Sequence, residues 1–367
     1  MLFQLYGSTA MTQLLGWVLV FAGLVILNEI GRRTKIGGIV IFVIIPAVLT
    51  IYFIAIQAGL FGGHSNQTYE YMNGWFHYAK LYAADIGVVG FLMIKYKWGI
   101  GKKEWFKPWP FVIVAINILI AVVSDFESAI RAYQITGDFS GAWWASNEGV
   151  FLYGGWWNIV NGIAGLINIF CMTGWWGIYS SKDKNHQDML WPDMTIWFIV
   201  AYDIWNFEYT YCNLPTHTWY CGVALLLAPT FANALWNKGG WIQNRAMTLA
   251  TWCMFAQVLP LFQLSNTFSV LPSLYGGATK AGVKALDLYN AAITCHTTGA
   301  SAGDAIANFG ITANPTAQGV VAMLAIIANV VCISVIIKRS IEQKKCPYTK
   351  EIWVGTRDYE QAMSRAE

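Results

Sequence analysis

Apolar runs of about 18 residues or more recur along the whole chain. Each is long enough to cross a bilayer core of about 30 Å. In hydrocarbon every backbone N–H and C=O must find a partner within the protein, so such runs become helices packed into a bundle. The charge content agrees. Only 12% of the 367 residues are charged, against roughly 25% in soluble domains. This balance argues against a secreted or cytosolic enzyme. The first apolar run lacks a basic leader and a small-residue cleavage site, and reads as a retained span rather than a signal peptide.

The fold class expected is an all-α polytopic bundle of about nine spans: 10–30, 37–60, 75–96, 109–132, 157–180, 194–214, 219–237, 243–264 and 317–338. The positive-inside rule orients it. If nine helices alternate, all but four of the 23 Lys and Arg fall on one side, in the first, third, fifth and seventh loops and after the last helix. The exceptions are Lys80, Arg131, Lys280 and Lys284. The N-terminus is therefore placed outside and the C-terminus in the cytoplasm. Residues 1–338 form one transmembrane unit that includes a long external loop, 265–316. Residues 339–367 read as a basic, mixed cytoplasmic tail.

Tryptophans such as Trp75, Trp109, Trp157, Trp191 and Trp241 stand near predicted span ends, where amphipathic rings anchor at headgroups. Trp197, Trp205 and Trp252 lie deeper and are candidates for lining a site. The external loop is rich in Gly, Ala, Ser and Thr, and Ser301 before Asp304 resembles a capping box. It reads equally as a lid or a passive cap. Pro229 and Pro260 free the carbonyls of Leu225 and Ala256 near Asn233 and Gln257, with a plain kink the simpler reading.

The stretch WPDMTIWFIVAYDIWNFEYTYC, Trp191–Cys212, carries Asp203 and Glu208 inside an apolar run. Ionisable groups at such depth usually face a protein interior or a wet cavity. Asp203, Asn206, Thr210 and Asn213 share one helical face, as do Asn158, Asn161, Gly165 and Asn168 of the preceding helix. The two faces are expected to meet in a polar seam. Glu208 is 140° around from Asp203 on the 100° wheel and is assigned to a gate or a structural partner. Tyr78, Tyr82 and Asp85 share a face of the third helix, with His77 beside them. In the fourth helix Glu127 and Arg131 stand four apart and suit an ion pair. Asp125 lacks a local partner and is matched either to Lys80 or to a proton. The candidate substrate or ion site is Asp203 with Asn206, Asp85, Tyr82, Asn161, Asn158, Asp125, Glu208 and Trp205. Amides merely joining helices are the alternative for the asparagines.

CxxC, HExxH, Walker and GxSxG motifs are missing from the sequence, and the five histidines show no metal spacing. No metal, cofactor or nucleic-acid partner is expected, and an enzyme is the less favoured class. Cys212 and Cys221 flank a short external turn, where a disulfide is compatible with an oxidising side. The segments WPDMTIWFIVAYDIWNFEYTYCNLP and WYCGVALLLAPTFANALW resemble a family of bacterial polytopic membrane proteins without assigned function. The resemblance implies a bacterial inner (plasma) membrane location and transfers no activity.

Five acids against two bases in the middle and outer bilayer, with many aromatic rings, suit a cation. The leading expectation is a secondary transporter for a small cationic or zwitterionic solute. Asp203 or Asp85 would supply proton coupling, since such relays are built from intramembrane acids. A cation channel lined by the same acids is the second reading, and a membrane-embedded sensor or enzyme the third. The lipid bilayer is an expected partner, and a homo-oligomer is left open.

Overall fold

In the computed structural model the chain is predominantly helical. The structure describes residues 5, 8–72, 74–259, 268, 274–277 and 282–367, and only the backbone of His217 and Gln257. Pro260 and Lys280 lie outside the described residues.

The main helices are α1 Ala10–Arg33, α2 Lys35–Gln57, α3 Trp75–Lys95, α4 Trp109–Thr136, α5 Trp156–Phe170, α6 Ile196–Cys212, α7 Thr218–Leu235 and α8 Trp241–Trp252. They are followed by α9 Ala285–Thr298, α10 Ala302–Ala307, α11 Pro315–Gln343 and α12 Arg357–Met363. Five are long and apolar enough to cross a membrane: α1, α2, α4 with the turn leading into it, α7 and α11. Their sequences are inverted relative to a soluble protein. On α11, Val320, Leu324, Ile327, Val331 and Ile337 point outward, while Gln318, Asn329 and Cys332 are buried. Burial of polar groups under an apolar outer face is what a lipid solvent selects.

The helices α3, α5, α6 and α8 are shorter or more polar, and most of α8 is buried, including Gln243, Asn244, Arg245, Thr248 and Thr251. Helix α5 ends at Phe170, ten residues before the end predicted at 180. Its 15 residues span about 22 Å at 1.5 Å per residue. Beyond it the chain turns back irregularly through a small hairpin, β3 Tyr179–Ser180 with β4 Met189–Leu190. Cys171, Met172, Ile178 and Trp191 hold that segment in the core. Irregular backbone at this position is tolerated because protein, not lipid, surrounds it.

The connections gather into two poles. At one, α1, α3, the β3–β4 hairpin, the α7–α8 turn and the C-terminal segment meet. Asp188 is the centre of that pole. It accepts from Arg32 Nη1 at 3.1 Å, Asn237 Nδ2 at 3.1 Å, Gln243 Nε2 at 2.9 Å and Arg365 Nη2. Lys95 Nζ donates to the carbonyls of Arg32 and Gln187 at 2.8 and 2.9 Å. The residues after 339 are thus not a loose tail. Ile352, Trp353 and Tyr359 belong to the core, and Ser181 bridges Ala366. At the other pole, a hairpin of β1 Ala142–Ala145 and β2 Phe151–Gly154 is covered by α9 and α10. Gly149 at its tip has φ +74, and a Cβ there would lie 2.4 Å from the Tyr289 ring. Ser301 caps α10, accepting from the Asp304 amide at 3.2 Å.

Tryptophan placement departs from the belt pattern. Trp157, Trp191 and Trp241, expected at the interface, are fully buried, and Trp197, expected deep, is exposed. Arg245, assigned to a basic loop from sequence, lies buried inside α8.

Candidate functional site

The polar seam exists, but Asp125 of α4 is its centre rather than Asp203. Helices α4 and α5 approach closely because α5 is built on glycines at the contact. A Cβ at Gly162 would meet the Phe126 ring at 2.8 Å, and one at Gly165 would meet Val122 at 2.6 Å and Trp205 at 2.7 Å. This approach sets α5 amides on the Asp125 carboxylate. Asn161 Nδ2 donates to Oδ2 at 2.8 Å and Asn158 Nδ2 to Oδ1 at 3.3 Å. Asn213, at the end of α6, donates its Nδ2 to Oδ1 as well. Asn213 Oδ1 in turn accepts from Ser128 Oγ at 2.6 Å and from Asn158 at 3.2 Å. Trp205 Nε1 donates to the Asn161 carbonyl at 3.2 Å.

Glu208 is fully buried beside this group, near enough for its charge to act on that of Asp125. Neither of its carboxylate oxygens has a nitrogen or oxygen partner; the Cys212 thiol is beside it. Gln318 of α11 donates to Cys212 Sγ at 3.6 Å. Two carboxylates therefore sit together with 0% exposure and no ion pair to either among the described residues. Uncompensated burial of charge is costly, so the pair calls for a proton or a cation.

Beside the pair, with Asn213 between, lies a cleft of about 960 Å³. Asn213 and Ser124 form part of its wall on the bundle side. Trp75, Trp143, Trp144 and Tyr153 supply aromatic surface, Glu127 and Glu148 negative charge, and Cys295, His296 and residues 299–303, before α11, close one side. Burial raises the Glu148 carboxyl above its ordinary range, opposed by the Ser146 hydroxyl and aided by the negative charge of Glu127. Arg131 Nη2 stands 3.6 Å from Glu127 Oε1, both side chains about half exposed. Of the loop predicted over 265–316, Cys295, His296 and residues 299–303 thus form a wall of the cleft.

The other predicted site residues fall elsewhere. Asp203 is turned toward α7, where its Oδ2 accepts from Thr230 Oγ1 at 2.8 Å. Asn206 accepts from Arg245 of α8 at 3.2 Å, and Thr210 packs on Gly222. The expected meeting of this face with α5 is corrected: α6 is buried on several sides, and only Asn213, at its end, reaches Asp125. Asn168 joins Asn329 of α11 at 2.7 Å. Tyr82 bonds Thr50 at 2.8 Å. Asp85 is buried on α3 with neither oxygen partnered, away from the Asp125 group. Lys80 does not answer Asp125; its Nζ donates to the Asn117 carbonyl at 2.8 Å. The disulfide is also corrected. Cys212 and Cys221 are free thiols in different cores, Cys212 against α11 and the hairpin pole and Cys221 against α1, α3 and α8. Sequence reasoning passed over Ser128, Glu148 and Gln318, which carry no motif and join the site only through tertiary packing.

Residues 7–365 match a family of unknown function, DUF5692. The chain belongs to that family. The assignment supports the resemblance drawn from α6 and α7 as far as an uncharacterised family, and it brings no activity with it. No curated protein and no solved structure matches the chain. Among the described residues, no group of His, Cys, Asp and Glu is placed to hold a metal ion.

Proposed function

We propose that the chain is a secondary transporter of the bacterial inner membrane for a small cationic or zwitterionic solute. Nine spans place the hairpin pole outside and the Asp188 pole in the cytoplasm, where the positive-inside rule puts basic segments. Solute enters the cleft at the hairpin pole, and its positive group is received by aromatic faces and Glu148. The Asp125–Glu208 pair below is the exchange site. Three amides donate to Asp125, which suits the ionised carboxylate, whereas Glu208 lacks such donors and carries the shared proton. Arrival of the cationic group releases that proton. Asn213 is the partition between cleft and pair.

The observation that carries this reading is the pair of buried carboxylates, without an ion pair among the described residues, directly behind the wall of an aromatic, acid-lined cleft. It moves the functional acid from Asp203 to Asp125. The test is uptake of a panel of labelled small amines and amino acids into proteoliposomes, with and without a proton gradient. Asp125→Asn and Glu208→Gln are expected to abolish uptake and to leave amine binding at the cleft measurable, with Asp203→Asn retaining transport. Uptake that persists in both of the first two variants defeats the proposal, and unitary currents in planar bilayers would favour a channel instead.

A further inference from the structure

The last helix, α12, has two faces. Tyr359 and Ala362 turn inward and are buried, and a Cβ at Gly239 would lie 2.5 Å from Ala362, so the α7–α8 turn packs directly on the helix. Arg357, Gln361 and Ser364 stand at i, i+4 and i+7, on a different face. With Asp358 and Arg365 they line a cleft of about 500 Å³. The rest of its lining is the end of α7, Ala234, Leu235 and Trp236, with Lys238 just beyond.

Three bases and one acid therefore line this space. Arg365 is anchored from behind. Its Nη1 donates to Asn237 Oδ1 at 2.7 Å and to the Lys238 carbonyl at 2.6 Å, and its Nη2 donates to Asp188. Lys238 Nζ stands 3.7 Å from Asp358 Oδ1, both side chains about one-third exposed. That is longer than a charge-assisted hydrogen bond of about 2.7–2.9 Å. The other oxygen of Asp358 accepts from the Ile196 amide at 3.3 Å. Arg357 is exposed and forms no ion pair among the described residues. The apolar part of the lining continues up α7, since Phe231 stands one turn before Leu235 and both are exposed. Helix α7 is long and apolar enough to cross a membrane. An apolar strip of a span thus leads into a basic cleft at its end, and Trp236 is half-exposed at the junction, where an amphipathic ring sits at headgroup level.

We propose that this cleft holds the headgroup of an anionic phospholipid. The Arg357 guanidinium and Lys238 receive the phosphodiester, Arg365 adds fixed positive charge at its back, and an acyl chain lies along Leu235 and Phe231. Basic pockets beside spans on the cytoplasmic side bind anionic headgroups in this way. A soluble phosphate or an acidic peptide would use the bases and leave the strip bare, so the continuity of the two favours a lipid. Only the leaflet is taken from the topology proposed above.

The experiment titrates the purified full chain, delipidated in detergent, with phosphatidylglycerol or phosphatidylcholine of the same acyl chains. Bound lipid is read by native mass spectrometry and the unfolding temperature is followed in parallel. Wild type is expected to bind phosphatidylglycerol saturably and in preference to phosphatidylcholine, and to melt higher with it. Arg357→Gln should weaken phosphatidylglycerol about five-fold, the weight of one basic side chain at an anionic headgroup, and leave phosphatidylcholine unchanged. Adding Lys238→Gln should remove the preference. Lys103→Gln, at an exposed lysine of the α3–α4 loop, should change nothing. A merely structural Arg357 would instead lower the unfolding temperature equally in both lipids. The proposal is overturned if wild type shows no preference, if Arg357→Gln and Lys103→Gln act alike, or if soluble glycerol phosphate displaces the lipid. Should the double variant not fold, the two single variants decide. Binding is read without a gradient, so failure here leaves the transport reading of Asp125 and Glu208 standing, and failure of uptake leaves this proposal standing.

Discussion

Asn213 donates its side-chain amide to Asp125 from 88 residues further along the chain. The bond joins the end of α6 to the middle of α4, and the same Asn213 lines the large cleft. One side chain thus touches both the cleft and the buried acid. Its carbonyl is held by Ser128 and Asn158, which fixes the amide in the orientation that donates to Asp125.

Asn213→Ala removes this donor and opens the partition. A lost hydrogen bond to a buried group costs about 1–3 kcal/mol. The variant is expected to melt below wild type in detergent and to leak protons in proteoliposomes without added solute. Asn213→Asp, which sets a third carboxylate against the pair, should be worse in both respects. A variant that melts lower but stays proton-tight would show that Asn213 braces the fold without separating the two spaces.

The thiol state gives a second test. All seven cysteines are free in the structure. Protein prepared without reductant, denatured and treated with a maleimide polymer, is expected to gain seven additions. Prior reduction should change nothing. Five additions before reduction and seven after would restore the Cys212–Cys221 disulfide and require the α6–α7 turn to be rebuilt.

What the sequence disclosed follows from the range of each interaction. The helices were legible because apolar length and the alternation of Lys and Arg are local signals. The seam was half legible: the spacing of Asn158 and Asn161 gives their shared face, but not the helix they face. That choice depends on Gly162 and Gly165, which let Phe126 and Val122 of α4 approach, and no periodicity records it. Asp203 looked central because mid-helix depth was its only visible property. The roles of Arg32, Lys95 and Arg365 were hidden for a related reason. The positive-inside rule places basic residues on a side, and it does not tell a solvated lysine from one that fastens five segments together.

That fastening carries the third prediction. Asp188 is fully buried between Arg32 and Arg365, with side-chain exposures of 0%, 3% and 25%. Removing one partner of a buried ion pair costs about 3–5 kcal/mol, because the remaining charge stays buried. Asp188→Asn is therefore expected to lower the unfolding temperature strongly and to release the C-terminal segment to protease. Arg365→Ala should act more mildly, since Arg365 is the more exposed partner and Arg32 stays paired. Equal effects from the two substitutions would show that the network works as a single unit rather than through Asp188.

The same C-terminal segment makes stability depend on pH through Asp193. This residue lies between α5 and α6 and is 1% exposed. Its Oδ2 accepts from Thr173 Oγ1 at 2.8 Å and from the Ile352 amide at 3.4 Å, and Thr173 in turn receives Trp353 Nε1 at 3.2 Å. Burial pushes the Asp193 carboxyl up from 3.8 to about 7, against the pull of the Thr173 hydroxyl. The folded chain therefore keeps a proton that the unfolded chain has already released. Stability from this group is fullest below pH 3.8, falls as pH rises, and is gone above about pH 7, where both states are ionised. Docking of the segment is thus expected to loosen between about pH 5 and 8. Hydrogen exchange of the amides of 350–365, referred at each pH to the same amides in Asp193→Asn, isolates the effect from the intrinsic pH dependence of exchange. In Asp193→Asn the side-chain oxygen still accepts from Thr173 and Ile352, while the amide nitrogen takes the place of Oδ1, which has no partner in the structure. The variant should hold the segment equally well across the range. If wild type and variant keep a constant ratio of exchange from pH 5 to 8, Asp193 is not the titrating group, and any loosening of the segment must come from another group.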